Sequence, residues 1–305
     1  MNRRRQPRPS ALVAVVCVVA LWLVVSGNYL HAQGGRGGRG GPPPTAKAAA
    51  PIDLTGYWTA VITEDWHQRM MTAPKGDFGS GEPGATAGFN GIRNGQGANP
   101  SQGGNIPYKA DAAKLAMAWD PAKDETEGNQ CKAYGAAGVM RQPTHLHITW
   151  QDDNTLRIDT DAGTQTRLLH FVPTPVAGGP NAPPPVPLAS QATPPAGEQP
   201  SWQGYSIAQW TIMGGRGEWA KGGSLEVVTT NLRPGYYWKN GMPYSAKLIL
   251  TEHFRVLKES TGDDWLYMSQ MAQDPDYLTE PWIITYQFKK LPDGSRWNPT
   301  PCSAK

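Results

Sequence analysis

The chain has 305 residues, of which 39% are hydrophobic and only 17% charged, with 35 Gly, 29 Pro and 12 Trp. So many turn formers beside so many aromatics suit short strands better than long helices. Setting aside Arg3, Arg4, Arg5 and Arg8 turns the formal net charge of +3 into −1, so the remainder lacks the clustered basic face of a nucleic-acid interface and no nucleic-acid partner is expected.

Residues 1–32 read as a signal peptide: a basic start, an unbroken apolar run from Ala11 to Val25, and a cleavage point after Ala32. The apolar run is short for a membrane span, so a membrane contact is expected only if this leader stays uncleaved. The implied destination is the periplasm or envelope of a bacterium. Residues 33–51, Gly/Arg then Pro then Ala, offer nothing to bury and read as a disordered spacer.

A single β-rich domain is expected over 52–305, opening with a strand through Tyr57 to Ile62. Gly/Asn/Ser-rich residues 75–107 read as a surface insertion. A short helix follows, capped by Asp111, with Ala112, Leu115, Ala116 and Trp119 on one face and an end at Asp120-Pro121. Residues 144–171 then read as three antiparallel strands. A three-residue loop, Asp152 to Asn154 with Asn154 left-handed, pairs Gln151 with Thr155. That register sets Leu146, Ile148, Trp150, Leu156 and Ile158 on one face, and His145, His147, Thr149, Arg157, Asp159 and Asp161 on the other. A four-residue loop, Ala162 to Gln165, would pair Asp159 with Leu168 and Arg157 with His170.

Pro-rich residues 172–200 form a second insertion. Further strands are expected within 201–213, 224–232, 246–257, 264–273 and 281–291, with Lys239-Asn240-Gly241 and Thr261-Gly262-Asp263 as turns between them. Eight or nine strands with mostly hairpin-length links suit an antiparallel β-barrel with one short helix; a β-sandwich is the alternative.

Several phrases carry a resemblance. Gly56-Tyr57-Trp58 resembles the first-strand signature of lipocalins, which implies a lipocalin-like barrel closed at one end by the Trp. The segments AWDPAKD, QCKAYGAAGVMRQPTHLHITWQDDN, SWQGYSIAQW, DPDYL and WNPTPC resemble a family of exported, β-rich bacterial proteins, a likeness that implies export and one β-rich unit but no activity or cofactor.

Cys17 lies in the leader, which leaves Cys131 and Cys302, an even pair read as one disulfide tying the C-terminus to the barrel. Three constellations bear on function. His145 and His147 point to one side of a strand and, with His170 and Asp159, define a conceivable divalent-metal set; otherwise that face is solvated, or lines a polar cavity. Glu252 shares a strand face with Leu250 and Phe254, so it is read as an interior carboxylate that needs a partner, and Arg167 has the matching parity. Trp210 and Tyr205, with His253, complete a candidate ligand-binding set. No hydrolase elbow, phosphate loop or nucleophilic Cys/His pair is present, and no cofactor is implied beyond that metal. The reading is an exported barrel holding a small apolar or amphipathic ligand; the alternatives are a hydrolase or isomerase on a His/carboxylate or His-metal site, and a structural protein without a pocket.

Overall fold

The computed structural model describes residues 44–61, 106–173, 186–212 and 222–304. The leader, the Gly/Arg part of the spacer, nearly all of the first insertion and the centre of the second lie outside these residues. Alternating strands dominate: β1 (Gly56–Ala60), β2 (His145–Asp152), β3 (Thr155–Thr160), β4 (Gln165–Phe171), β5 (Tyr205–Ile212), β6 (Gly223–Thr230), β7 (Gly235–Trp238), β8 (Met242–Tyr244), β9 (Ile249–Lys258), β10 (Asp264–Gln273) and β11 (Trp282–Leu291). Nine of them close a barrel in the order β1-β11-β10-β9-β6-β5-β4-β3-β2, and β7 and β8 form a separate hairpin. Closure removes the exposed edges of an open sheet.

The barrel is mixed rather than wholly antiparallel. β4 and β5 run parallel, with Leu169 opposite Ser206 and Phe171 opposite Ala208. A tight turn cannot join parallel neighbours, and the 33 residues between Phe171 and Tyr205 supply the length a crossover needs.

Strand parity sorts the side chains as the sequence implies. Leu146, Ile148, Leu156, Ile158, Leu169, Trp210, Leu225, Val227, Phe254, Met268 and Phe288 form one interior cluster. Burying a side chain of this kind stabilises by about 1.5 to 3 kcal/mol relative to leaving it exposed. Trp58 is fully buried in the same cluster, and its indole N–H donates to Leu54 O at 2.9 Å. At the other end Leu250, Ala272 and Trp282 pack with Tyr237, Trp238, Met242 and Tyr244 of the β7–β8 hairpin and with Ala136 and Ala137.

The β2–β3 register is as expected: Ile148 faces Ile158, His147 faces Asp159, and Trp150 faces Leu156. The turn differs. Asp152 pairs with Thr155 and the extra residue becomes a bulge between Trp150 and Asp152, so Asn154 is not in the left-handed region. Asp152 Oδ1 accepts from Asn154 N at 2.8 Å, while Asn154 Oδ1 accepts from Ala46 N at 2.9 Å. The β3–β4 loop corrects the register by two residues. Asp159 faces Thr166, Arg157 faces Leu168, and His170 faces Thr155. Gly163 and Thr164 take positive φ values of 73° and 50° to close that turn.

Three further expectations are revised. Residues 44–51 are not a free spacer, because Lys47 N donates to Asp153 O at 3.0 Å and Trp210 Nε1 to Ala46 O at 2.8 Å, and Ala49 and Ala50 pack on the core. The expected short helix is followed, among the described residues, by a second one of 6 residues. In α1 (Ala110–Ala118) Asp111 sits in the first turn, where a carboxylate favours the helix dipole, rather than at the cap. Asp120-Pro121 opens α2 (Pro121–Thr126) instead of ending α1: Asp120 accepts from Ala122 N, and Pro121 takes the first helical position. Lys239-Asn240-Gly241 lies inside the β7–β8 hairpin. Gly241, at φ +83°, leaves no room for a side chain, since a Cβ there would lie 2.2 Å from the Trp119 ring.

The expected disulfide links Cys131 to Cys302, with their Cα atoms 5.1 Å apart. Among the described residues no helix is long and apolar enough to cross a membrane.

Candidate functional site

Arg167 on β4 and Glu252 on β9 meet inside the barrel, 1% and 0% exposed. The guanidinium donates from both terminal nitrogens to the carboxylate, at 3.0 and 2.5 Å, and also reaches Thr229 Oγ1 at 3.3 Å. Gln270 Nε2 donates to Glu252 Oε1 at 3.3 Å, and Ser206 and Thr229 share a hydroxyl contact of 2.7 Å. These residues form a polar belt between the two apolar clusters, because each strand changes chemistry at the same level: Phe254, Glu252, Leu250 on β9 and Met268, Gln270, Ala272 on β10. The Glu252 carboxylate is thereby matched, whereas Arg167 Nε is buried without a hydrogen-bond partner.

The other proposed ligand residues do not join this pair. Trp210 points inward but lies in the cluster toward Trp150 and Phe171, with ring centroids 6.4 and 5.1 Å away. Tyr205 has the opposite parity and stacks on His170 at 5.3 Å on the outside. His253 is exposed on the outer face opposite Glu226.

The histidine face lies outside the barrel, and its members go separate ways. His147 stacks on Tyr57 at 4.1 Å. His170 is displaced by the two-residue register correction and stacks on Tyr205. Asp159 is bound by Arg157 through two bonds of 2.7 and 2.8 Å and by the Thr166 hydroxyl. Burial pushes the Asp159 carboxyl up, but the Arg157 and Thr166 bonds outweigh it and hold the group below its usual range. Among the described residues no group of three His, Cys, Asp or Glu side chains converges as a metal site.

His145 forms a pair that the sequence reading did not single out. Its Nδ1 lies 2.6 Å from Asp161 Oδ2, and Asp161 also accepts from His145 N at 2.7 Å, Thr144 Oγ1 at 3.0 Å and Asn298 N at 3.2 Å. Burial, the largest influence on Asp161, raises its pKa, yet the bonds from the His145 ring and backbone and from Asn298 prevail and lower it. A carboxylate orienting an imidazole is acid–base hardware. Here, however, His145 is 8% exposed and Nε2 is buried without a hydrogen-bond partner. The pair instead pins the C-terminal tail, where Thr300 N donates to Asp161 O at 2.9 Å, beside the disulfide at Cys302.

Two recesses among the described residues bear on ligand binding. One, of about 270 Å³, lies between residues 47–54 and the side chains of Trp150, Leu156 and Trp210. The other, of about 310 Å³, is a cleft between α1, α2 and the β7–β8 hairpin, lined by Leu115, Trp119, Tyr236, Tyr277 and Tyr244 with Lys123, Asp124, Glu127 and Lys132. Asp124 organises it. This 4%-exposed carboxylate takes Trp119 Nε1 at 3.0 Å and Lys132 Nζ at 2.8 Å, and the Tyr236 hydroxyl donates to it. Burial and this acid push the Tyr236 phenol well up. The Trp119 and Tyr236 rings meet edge to face at 6.4 Å, and Lys132 Nζ lies 5.4 Å from the Tyr236 centroid. Leu115 is 48% exposed at the rim. The sequence carries a signal for one wall of this cleft: the aromatic run Tyr236-Tyr237-Trp238 directly before Lys239-Asn240-Gly241 marks a hairpin. No family model, curated protein or solved structure matches the chain.

Proposed function

We propose that the protein is an exported binding protein of the cell envelope that holds a small amphipathic ligand, with no reaction assigned to it, and that the ligand sits in the cleft beside the barrel rather than inside it. The observation that carries this reading is the cleft itself. Its volume of about 310 Å³ falls at the lower end of the range for small-molecule sites, and it combines apolar rings with a few fixed polar groups in the manner of such sites. The barrel interior offers a weaker case, since the Glu252 carboxylate is taken up by Arg167 and Gln270. Export rests on the leader-like residues 1–32 and agrees with the disulfide, which suits an oxidising compartment.

The reading is tested by heteronuclear NMR of the full-length mature chain against four small ring compounds: phenol, benzylamine, benzoate and methyl glucoside. At least one should shift the Trp119 indole and the Lys132 and Tyr236 amides in a saturable way. If none of the four moves those signals at millimolar concentration, the cleft is not a ligand site.

A further inference from the structure

A helix as short as α2 is not stable by itself, and the one residue it buries is Asp124, so apolar packing does not hold this wall of the cleft. Its place is set by polar and covalent ties. Asp124 takes Trp119 Nε1 and Lys132 Nζ, while Asn129 N donates to Asp124 O at 2.7 Å and Lys132 N to Asn129 O at 3.0 Å. These bonds fold residues 124–132 into one tight loop. The loop is fastened to the C-terminal tail at two points: Ala304 N donates to Glu125 Oε1 at 2.7 Å, and the disulfide to Cys302 leaves from Cys131, the residue next to Lys132. The tail is fixed in turn to the barrel, where Asn298 N and Thr300 N donate to Asp161 and Thr164 Oγ1 donates to Thr300 O at 3.0 Å. It is therefore a strut from the β3–β4 turn to the cleft wall, and its covalent joint is reversible. Cys131 and Cys302 are both partly exposed, which admits exchange with thiols and disulfides in solution.

We propose that the Cys131–Cys302 disulfide is a redox switch for the cleft: once formed, it holds Lys132 and Asp124 in place and the cleft binds; once reduced, α2 loosens and affinity falls. The partner of the switch is a dithiol/disulfide couple. In oxidation one cysteine thiolate attacks the partner disulfide and displaces a thiolate, and the second cysteine resolves the mixed disulfide, so two electrons and two protons pass to the partner as it becomes a dithiol. Reduction is the reverse. Binding is thereby confined to an oxidising compartment. This regulation rests on the assignment of the cleft as the ligand site.

The experiment titrates the full-length mature chain, oxidised and reduced with dithiothreitol, with phenol, benzylamine, benzoate and methyl glucoside by NMR. A probe that binds the oxidised chain should bind the reduced one about tenfold more weakly. Without any probe, reduction should move or broaden the Trp119 indole and Lys132 amide signals while the β9–β10 amides keep their protection. By reciprocity, a saturating probe should make the disulfide about tenfold harder to reduce, about 30 mV for a two-electron couple. Glu125→Ala keeps the disulfide but cuts the other tie to the tail, and should weaken binding by about threefold. Equal affinity in both redox states overturns the switch and leaves the cleft as a site. Loss of β9–β10 protection on reduction also overturns it, because the disulfide then acts on the whole fold. Silence from all four probes, with Trp119 and Lys132 still responding to reduction, overturns the ligand site and leaves only the coupling of tail to cleft wall. Silence in every measurement overturns both.

Discussion

Glu252 and Asp161 are both buried carboxylates with an ionisable partner, but one lies inside the closed barrel and the other on its outer surface. Inside, neutralisation comes from another strand of the wall: Arg167 on β4 supplies both bonds, with Gln270 beside it. Outside, Asp161 collects short-range donors from Thr144 and His145 and one from Asn298, and becomes the anchor of a chain end. Equal burial therefore serves two purposes. The first carboxylate is a matched component of the core; the second is a clasp.

The comparison breaks most sharply at the interior pair. Glu252→Ala should lower the unfolding free energy by about 3 to 5 kcal/mol, since it strands a guanidinium in the core, whereas the double change Arg167→Met with Glu252→Met should recover most of that loss. Urea denaturation of the two variants measures the difference. A double variant no more stable than the single one would mean that the pair supplies more than mutual satisfaction.

Next in size is the disulfide that reinforces the clasp. Replacing Cys131 and Cys302 by Ser should cost about 2 to 4 kcal/mol and should raise amide exchange at Thr300 while the β9–β10 amides keep their protection relative to the global stability. Uniform loss of protection across the barrel would show that the tail is not a separable unit.

Asp161→Asn is smaller, about 1 to 3 kcal/mol, because the amide keeps its oxygen acceptor but loses the charge that the donors meet. The folded-state pKa of Asp161 is lowered, so its contribution is complete above the unfolded carboxyl pKa of about 3.9 and is lost as pH falls through the folded value. The wild-type chain should therefore lose stability more steeply than Asp161→Asn below about pH 4, a contrast read from acid titrations followed by tryptophan fluorescence.

How much of this was legible follows from what each feature depends on. Face and partner in β2, β3, β4 and β9 are set by a period of two, so the Arg167–Glu252 pair and the inward Leu146–Ile148–Ile158 face were readable from parity alone. A register error of two residues at the β3–β4 loop left every face correct and still misplaced His170, because position along a strand depends on loop length. The parallel β4–β5 pairing, the docking of residues 44–51 and the Asp161 clasp depend on contacts between segments far apart in sequence, which no local pattern encodes. The cleft is of that kind too: Trp119, Asp124, Lys132 and Tyr236 are brought together by the turn of α1 into α2 and by a hairpin whose Gly241 admits the Trp119 ring.

The smallest predicted effect lies on the outer face, where Asp159 offers a third carboxylate for comparison. Its partner Arg157 makes two good bonds to it, but the Arg157 side chain is 42% exposed, so solvent competes for both ions and the geometry does not translate into much stability. Arg157→Ala should cost only about 0 to 1 kcal/mol, and that cost should shrink further in molar salt. The Glu252→Ala penalty should hardly respond to salt, because ions do not reach the barrel interior. Measuring both variants at low and high ionic strength by urea denaturation places the Asp159 and Glu252 carboxylates on one scale. Should Arg157→Ala prove as damaging and as salt-insensitive as Glu252→Ala, burial would not be what separates the core pair from the surface one, and the outer histidine face would have to be more enclosed than its exposure indicates.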